Sequence, residues 1–186
     1  MDNTKLLIIL AVVILFTVIS IYNGLIKRKN EVDNAFSGMD VQLKKRYDLI
    51  PNLVSTVKGY MKHEKEILTK LTELRTSTKN KKLSTAQKID LDNKVSNEIS
   101  KISIAVESYP DLKASESFLN LQRSLNEVES QISAARRTYN AVITEYNNGI
   151  SVFPQVIIAK MLRMTPKNVF TIDNKQRKNI DSDNLF

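Results

Sequence analysis

Apolar residues recur along this chain in two registers. Residues 6–26, LLIILAVVILFTVISIYNGLI, form one run without a charge. At 1.5 Å per residue the run spans about 31 Å, close to the thickness of a bilayer's hydrocarbon core. It exceeds the apolar stretch of a cleaved leader, and the bulky Ile21 and Tyr22 make a poor cleavage site. It therefore predicts an uncleaved transmembrane helix. After residue 27 the pattern changes to alternating steps of three and four. Phe36, Met39, Leu43, Arg46, Ile50, Leu53, Val57, Tyr60, Glu64, Ile67, Leu71 and Leu74 make one seam. Phe118, Leu121, Leu125, Val128, Ile132, Ala135, Tyr139, Val142 and Tyr146 make a second, and Leu91, Val95, Ile99, Ile102, Val106 and Tyr109 a third stripe. A mean step near 3.5 residues packs helices along left-handed seams.

The pattern predicts helices over 27–79, 84–109, 114–149 and 154–164, with short connections that make sequence neighbours antiparallel. The polar stretch 77–85 reads as a turn, and Ser84 with Gln87 has capping-box spacing. Pro110 ends one helix at Tyr109, Asn148-Gly149 reads as a stop, and Pro154 suits the first turn of a short last helix. The fold class is all-α: a transmembrane helix, then an antiparallel up-down bundle of three long helices and one short one. The organisation is a short extracytoplasmic N-terminus at 1–5, the span at 6–26, a cytoplasmic bundle at 27–170 and a disordered tail at 171–186.

Three points stay open in the pattern. Pro51 either kinks the first helix or starts a new one capped by Asp48. Arg46 and Glu64, on the first seam, either snorkel at its edge or join a buried polar network, the edge being favoured because an ideal helix drifts off a strict heptad. The third long helix is longer than the second and must overhang. If the second folds back along the first, Tyr109, Pro110 and Asp111 lie beside Leu49, Ile50, Pro51 and Asn52, and Tyr109 or Asn52 is available to the carbonyl near Tyr47 that Pro51 leaves without a donor.

Composition narrows the chemistry. The chain has no Cys, which excludes disulfides, thiolate metal sites and a cysteine nucleophile. It has one histidine, His63, in HEKE, where Ile67 stands at the position the second ligand of a zinc helix needs. Among Lys62, Glu64, Lys65 and Glu66 it reads as part of a solvated face. Asp33, Asp40, Asp48 and Glu64 are the carboxylates that a hard metal would need, but Asp33 and Asp40 stand about 10 Å apart along one helix. No cofactor is expected.

The net charge of +8 is concentrated just after the apolar run. Lys27, Arg28 and Lys29 come directly after it, which places the bundle in the cytoplasm and the N-terminus outside. They also suit contact with anionic lipid. No nucleic-acid motif accompanies the charge, and no nucleic-acid partner is expected.

The span ending in YNGLI, the block RKNEVDNAFSGMDVQLKKRYDLIPNLVSTVKGYMKHE and the block YPDLKASESFLNLQRSLNEVESQISAARRTYNAVITEYNNGISVFPQVIIAKML resemble the LemA family over about residues 22–170. Phe36 stands where that family usually has Trp, and Leu74 where Ala is usual. The resemblance implies a helical bundle on one N-terminal membrane helix, with no settled biochemical activity. Arg46, Asp48, Pro51, Asn52, His63, Glu64, Tyr109, Pro110, Arg136, Tyr139 and Asn140 fall in its blocks. With Asp111 they form the candidate interaction or structural motif. The leading expectation is a single-pass bacterial membrane protein that acts by binding a protein partner or itself. A lipid-remodelling module and a carboxylate enzyme are the competing classes.

Overall fold

The computed structural model describes residues 3–61, 63–80 and 83–170. The tail expected at 171–186 lies outside them. Apart from short links and the irregular stretch 164–170, the described residues are helical: α1 (Asn3–Lys58), α2 (Lys65–Thr78), α3 (Thr85–Ala105), a 3-10 turn (Val106–Ser108), α4 (Pro110–Lys113), α5 (Glu116–Ser151) and α6 (Gln155–Met161). The expected all-α bundle is therefore present. The N-terminal part of α1 is long and apolar enough to cross a membrane, and its side chains from Leu6 to Ile19 are exposed.

The expected helix over 27–79 is two helices. α1 stops at Lys58, before Gly59, and α2 starts at Lys65. Gly is a poor helix former, and Met61, buried in the intervening turn, pins the chain reversal to the core. The apolar spacing runs across this turn because Val57, Met61, Leu68, Leu71 and Leu74 all pack into one cluster from both sides of it. Pro51 lies inside α1, so no helix starts there. It is exposed, and its ring nitrogen leaves the carbonyl one turn back without the usual helical donor.

The chain divides into two compact units. One is Phe36–Arg136. Its core joins Ile50, Leu53 and Val57 of α1, Leu68 and Leu71 of α2, Val95 and Ile102 of α3, Leu112 of α4, and Phe118 and Leu121 of α5. Lys88 meets Asp40, Asp92 meets Arg46, and Tyr109 meets Glu64, so α3 runs parallel to α1. The expected fold-back of that helix along α1 is thus replaced: α2 makes the reversal, and α3 returns. Tyr109 consequently donates its hydroxyl to Glu64 rather than to the Tyr47 carbonyl. α3 begins with the capping box the sequence announced. Ser84 Oγ accepts from Gln87 N at 3.3 Å, and Ser84 N donates to Gln87 Oε1 at 2.8 Å. Ser84→Ala is expected to cost about 1 kcal/mol, read as a lower urea midpoint at unchanged slope.

The other unit joins the described residues up to Ala35 with those from Arg137 onward. The length that the third long helix carries in excess is accounted for here: the C-terminal part of α5 packs with α1, burying Leu25 and Val32 with Tyr139, Ile143, Tyr146 and Ile150. Arg28 Nη1 donates to the carbonyl of Glu145 at 2.9 Å. Gly149 is not a helix stop, since α5 continues to Ser151. A Cβ there would fall on the Arg28 guanidinium, so glycine is what lets that side chain cross the helix.

Candidate functional site

The unit Phe36–Arg136 has charges at its centre. Arg46, on the α1 seam between Leu43 and Ile50, is 2 % exposed, and Asp92 of α3 is 0 % exposed. Arg46 Nη1 donates to Asp92 Oδ1 at 2.7 Å and to Ser96 Oγ at 2.7 Å. Arg136 of α5 pairs through Nη2 with the other oxygen, Asp92 Oδ2, and approaches Asn93 Oδ1 at 3.5 Å. Arg46 Nη2 forms an ion pair with Glu129 Oε2, though without hydrogen-bond geometry. Three helices thus meet on two guanidinium groups and two carboxylates of balanced formal charge. The edge position favoured for Arg46 is overturned. Asp92 holds Arg46 inside, and a buried charge with a hydrogen-bonded counter-ion has no need to reach water.

Asp92 is one residue off the stripe that starts at Leu91, although the sequence carries a signal for it. Steps of three and four fit 92, 95, 99, 102 and 106 without a break, whereas starting at Leu91 requires two successive steps of four. The strict register puts the carboxylate, not the leucine, on the buried line.

Burial lowers the Arg46 pKa from its usual value, and the nearby Asp92 opposes that shift. The guanidinium is the most basic of the side chains and remains the cation that Asp92 balances. Burial raises the phenols of Tyr47, Tyr139 and Tyr146, and the hydrogen bond to Glu64 raises that of Tyr109. The folded chain therefore keeps these phenols neutral where the unfolded chain ionises them. Below the ordinary phenol value of 10.0 both states are protonated and the contribution is complete. It is lost as pH rises from there through the folded values. Urea midpoints are expected to fall from about pH 10 upward, with phenolate absorbance appearing later than for free tyrosine. A midpoint unchanged across that range contradicts the assignment.

The other candidate residues divide by environment. Asp48 pairs with Lys44 at 2.5 Å on an exposed face, a contact of small energetic weight. Glu64 precedes α2 and accepts from Tyr109 OH through both carboxylate oxygens at 2.8 Å. His63 is exposed in the turn before α2, outside any helix, rather than on a helix face. Pro51, Asn52, Pro110 and Asp111 are exposed. Asp40 binds Lys88 Nζ at 2.8 and 2.9 Å, and that ammonium stands 5.4 Å from the centre of the Phe36 ring. Asp33 pairs with Lys167 at 3.3 Å. The carboxylates considered for a metal thus each face a separate partner. Among the described residues, no group of three or more His, Cys, Asp or Glu is arranged to hold an ion.

Beside the ionic centre is a cleft of about 380 Å³ between α1, α2 and α3, lined by residues that include Asp40, Lys44, Tyr47, Arg75, Lys79 and Lys88. A groove of about 460 Å³ runs along the α1–α2 turn, with Val54, Met61 and Leu68 as its apolar part and Lys58, Lys65 and Glu73 at its rim. Arg46 and Asp92 line neither.

In the other unit, Tyr139 and Asn140 belong to a repeated Tyr-Asn pair, with Tyr146 and Asn147 seven residues on. Asn140 Nδ2 donates to Phe170 O at 2.9 Å, and its Oδ1 accepts from Phe170 N at 2.7 Å. Asn147 does the same with Lys167 at 2.9 Å in both directions. Tyr146 OH donates to Thr165 O at 3.1 Å, and the Tyr139 and Phe170 rings meet edge to face at 5.6 Å. The spacing is geometric. Seven helical residues rise about 10.5 Å, and three extended residues cover about 10 Å, so each amide meets one backbone residue of an antiparallel strap. The sequence contains the Tyr-Asn repeat, but nothing in periodicity ties it to residues 165–170.

Comparison with known proteins agrees with the motif blocks. The model of the LemA family matches residues 35–183. A protein of Metamycoplasma hominis named Protein LemA is 27% identical over 163 residues, which cover 88% of this chain and 74% of that protein.

Proposed function

The chain belongs to the LemA family, and on that premise we propose that it is a membrane-anchored helical bundle that works by binding another protein or a second copy of itself, without catalysis. The observation that carries this reading is where the chain's distinctive polar groups are directed. Arg46 and Arg136 pair with Asp92, and Asn140 holds backbone of its own chain. Groups so engaged frame a fold and leave the exposed surface to act. Pro51, Asn52, Pro110 and Asp111 are on that surface. The apolar stretch of α1 supplies the anchor, and Lys27 and Lys29 after it favour the cytoplasmic side for the helical bundle.

Photoreactive side chains at Asn52 and Asp111 of the full-length chain, activated in intact cells, test the reading. One defined protein species, or a dimer of this chain, is expected from each position. A chain that stays monomeric and uncrosslinked from these and every other exposed position contradicts it. A chain that captures no partner and carries a stoichiometric ion when purified would instead favour an enzyme.

A further inference from the structure

The end of the unit formed by residues up to Ala35 and from Arg137 carries an apolar face that neither the fold nor the proposed binding surface uses. Val152, Phe153, Ile157 and Met161 are exposed, Phe153 at 80 % and Met161 at 79 %. Ile157 and Met161 are four residues apart, so they share one side of α6, and Phe153 stands exposed in the turn just before that helix. The opposite side is anchored by Ala159, which is buried. A contiguous exposed apolar face of this kind on a small unit marks an interaction surface.

The neighbouring chain indicates what covers it. Arg28 reaches Glu145 O and crosses Gly149, so the last turn of α5 stands beside the residues just after the apolar run 6–26. α5 runs antiparallel to α1 here, and the next turn, up to Phe153, is level with the end of that run to within about one turn of 5.4 Å. The strap then returns in the other direction, Lys167 at Asn147 and Phe170 at Asn140. The chain thus arrives at the end of the anchor at residue 152, presents α6, and departs at residue 164. Lys160 and Arg163 are exposed on this segment, as are Lys27 and Lys29 on α1. An apolar face with basic residues around it is the composition of a helix lying in the headgroup region.

We propose that α6 is an interfacial helix, seating Phe153, Ile157 and Met161 in the acyl boundary of the same phospholipid leaflet from which α1 emerges, with the four basic side chains at the phosphates. The attachment is then at two points, and the unit has one orientation on the bilayer. This rests on the reading of residues 6–26 as a membrane anchor.

The natural chain has no cysteine, so single thiol labels are unambiguous. Full-length protein carrying Phe153→Cys, Ile157→Cys, Met161→Cys, Arg137→Cys or Leu10→Cys is labelled with a polarity-sensitive dye. It is reconstituted in vesicles of phosphatidylcholine and phosphatidylglycerol that contain a lipid with a nitroxide high on its acyl chain. Labels at 153, 157 and 161 are expected to be quenched several-fold more than the exposed 137, with the label at 10 in lipid. If the label at 10 is in lipid while those at 153, 157 and 161 remain open to an aqueous quencher, the interfacial helix is refuted and the anchor stands. Labels at those positions shielded from water but untouched by the lipid nitroxide identify a protein cover and also refute it. A label at 10 that lies outside the bilayer overturns both readings.

Discussion

Asp92→Ala is expected to destabilise the chain by about 3–5 kcal/mol, the cost of removing one partner from a buried ion pair. Total stability of a domain is only about 5–15 kcal/mol, so this variant stands near the edge of folding. The reason is the asymmetry of the site. Arg46 is enclosed, its Nη1 loses the buried carboxylate at 2.7 Å, and what remains is the Ser96 hydroxyl and Glu129, a half-exposed carboxylate without hydrogen-bond geometry to Arg46. Arg136 is less affected because it is partly exposed and can turn to water. Arg46→Met together with Asp92→Leu is expected to recover most of the loss, since apolar residues of similar volume replace buried pairs at little cost. Urea unfolding of the two single variants and the double variant gives the coupling directly. Additive losses, with no recovery in the double variant, would show that the pair does not act as a unit.

The second large effect is expected in the strap. Asn140→Ala with Asn147→Ala removes four side-chain to backbone hydrogen bonds, at about 1 kcal/mol each. Other ties of residues 165–170 include the Tyr146 hydroxyl, the Tyr139–Phe170 ring contact, and the contacts of Lys167 with Asp33 and with the Tyr146 ring. The loss is therefore local, and hydrogen exchange of amides 167 and 170 is expected to rise by orders of magnitude while that of α2 and α3 is unchanged. Unchanged protection at 167 and 170 contradicts the role given to the two asparagines. Asn→Asp at either position is expected to be nearly as damaging, because a carboxylate accepts from the amide N–H but repels the carbonyl.

How local each signal is decides how much of the structure is legible in the sequence. Met39, Leu43, Ile50, Leu53 and Val57 are legible as buried because they recur along one face of a single helix, α1. Ser84 with Gln87, and Tyr109 before Pro110, are legible because capping and proline restriction act within a few residues. The α1–α2 turn is hidden because both sides of it feed the same apolar cluster, so period alone sees no interruption at Gly59. The direction of α3 is hidden with it. Arg46 is visible on the seam, but its burial depends on Asp92, one residue off the stripe that starts at Leu91. Gly149 looks like a stop because its true reason, the approach of Arg28, comes from a residue far away in the chain. The resemblance singles out Tyr139 and Asn140 without their role, which only the contact with residues 165–170 supplies.

On the function proposed above, the buried charges frame the bundle and binding belongs to its surface. The decisive measurement of that division is made on full-length Arg46→Met/Asp92→Leu, comparing thermal unfolding of the purified protein by circular dichroism with photocapture from Asn52 and Asp111 in cells. A framing role predicts a cooperative helical melt and the same captured species in the same yield as the natural chain. A variant that melts cooperatively yet captures nothing would make the ionic centre itself the functional element, and the division would be wrong.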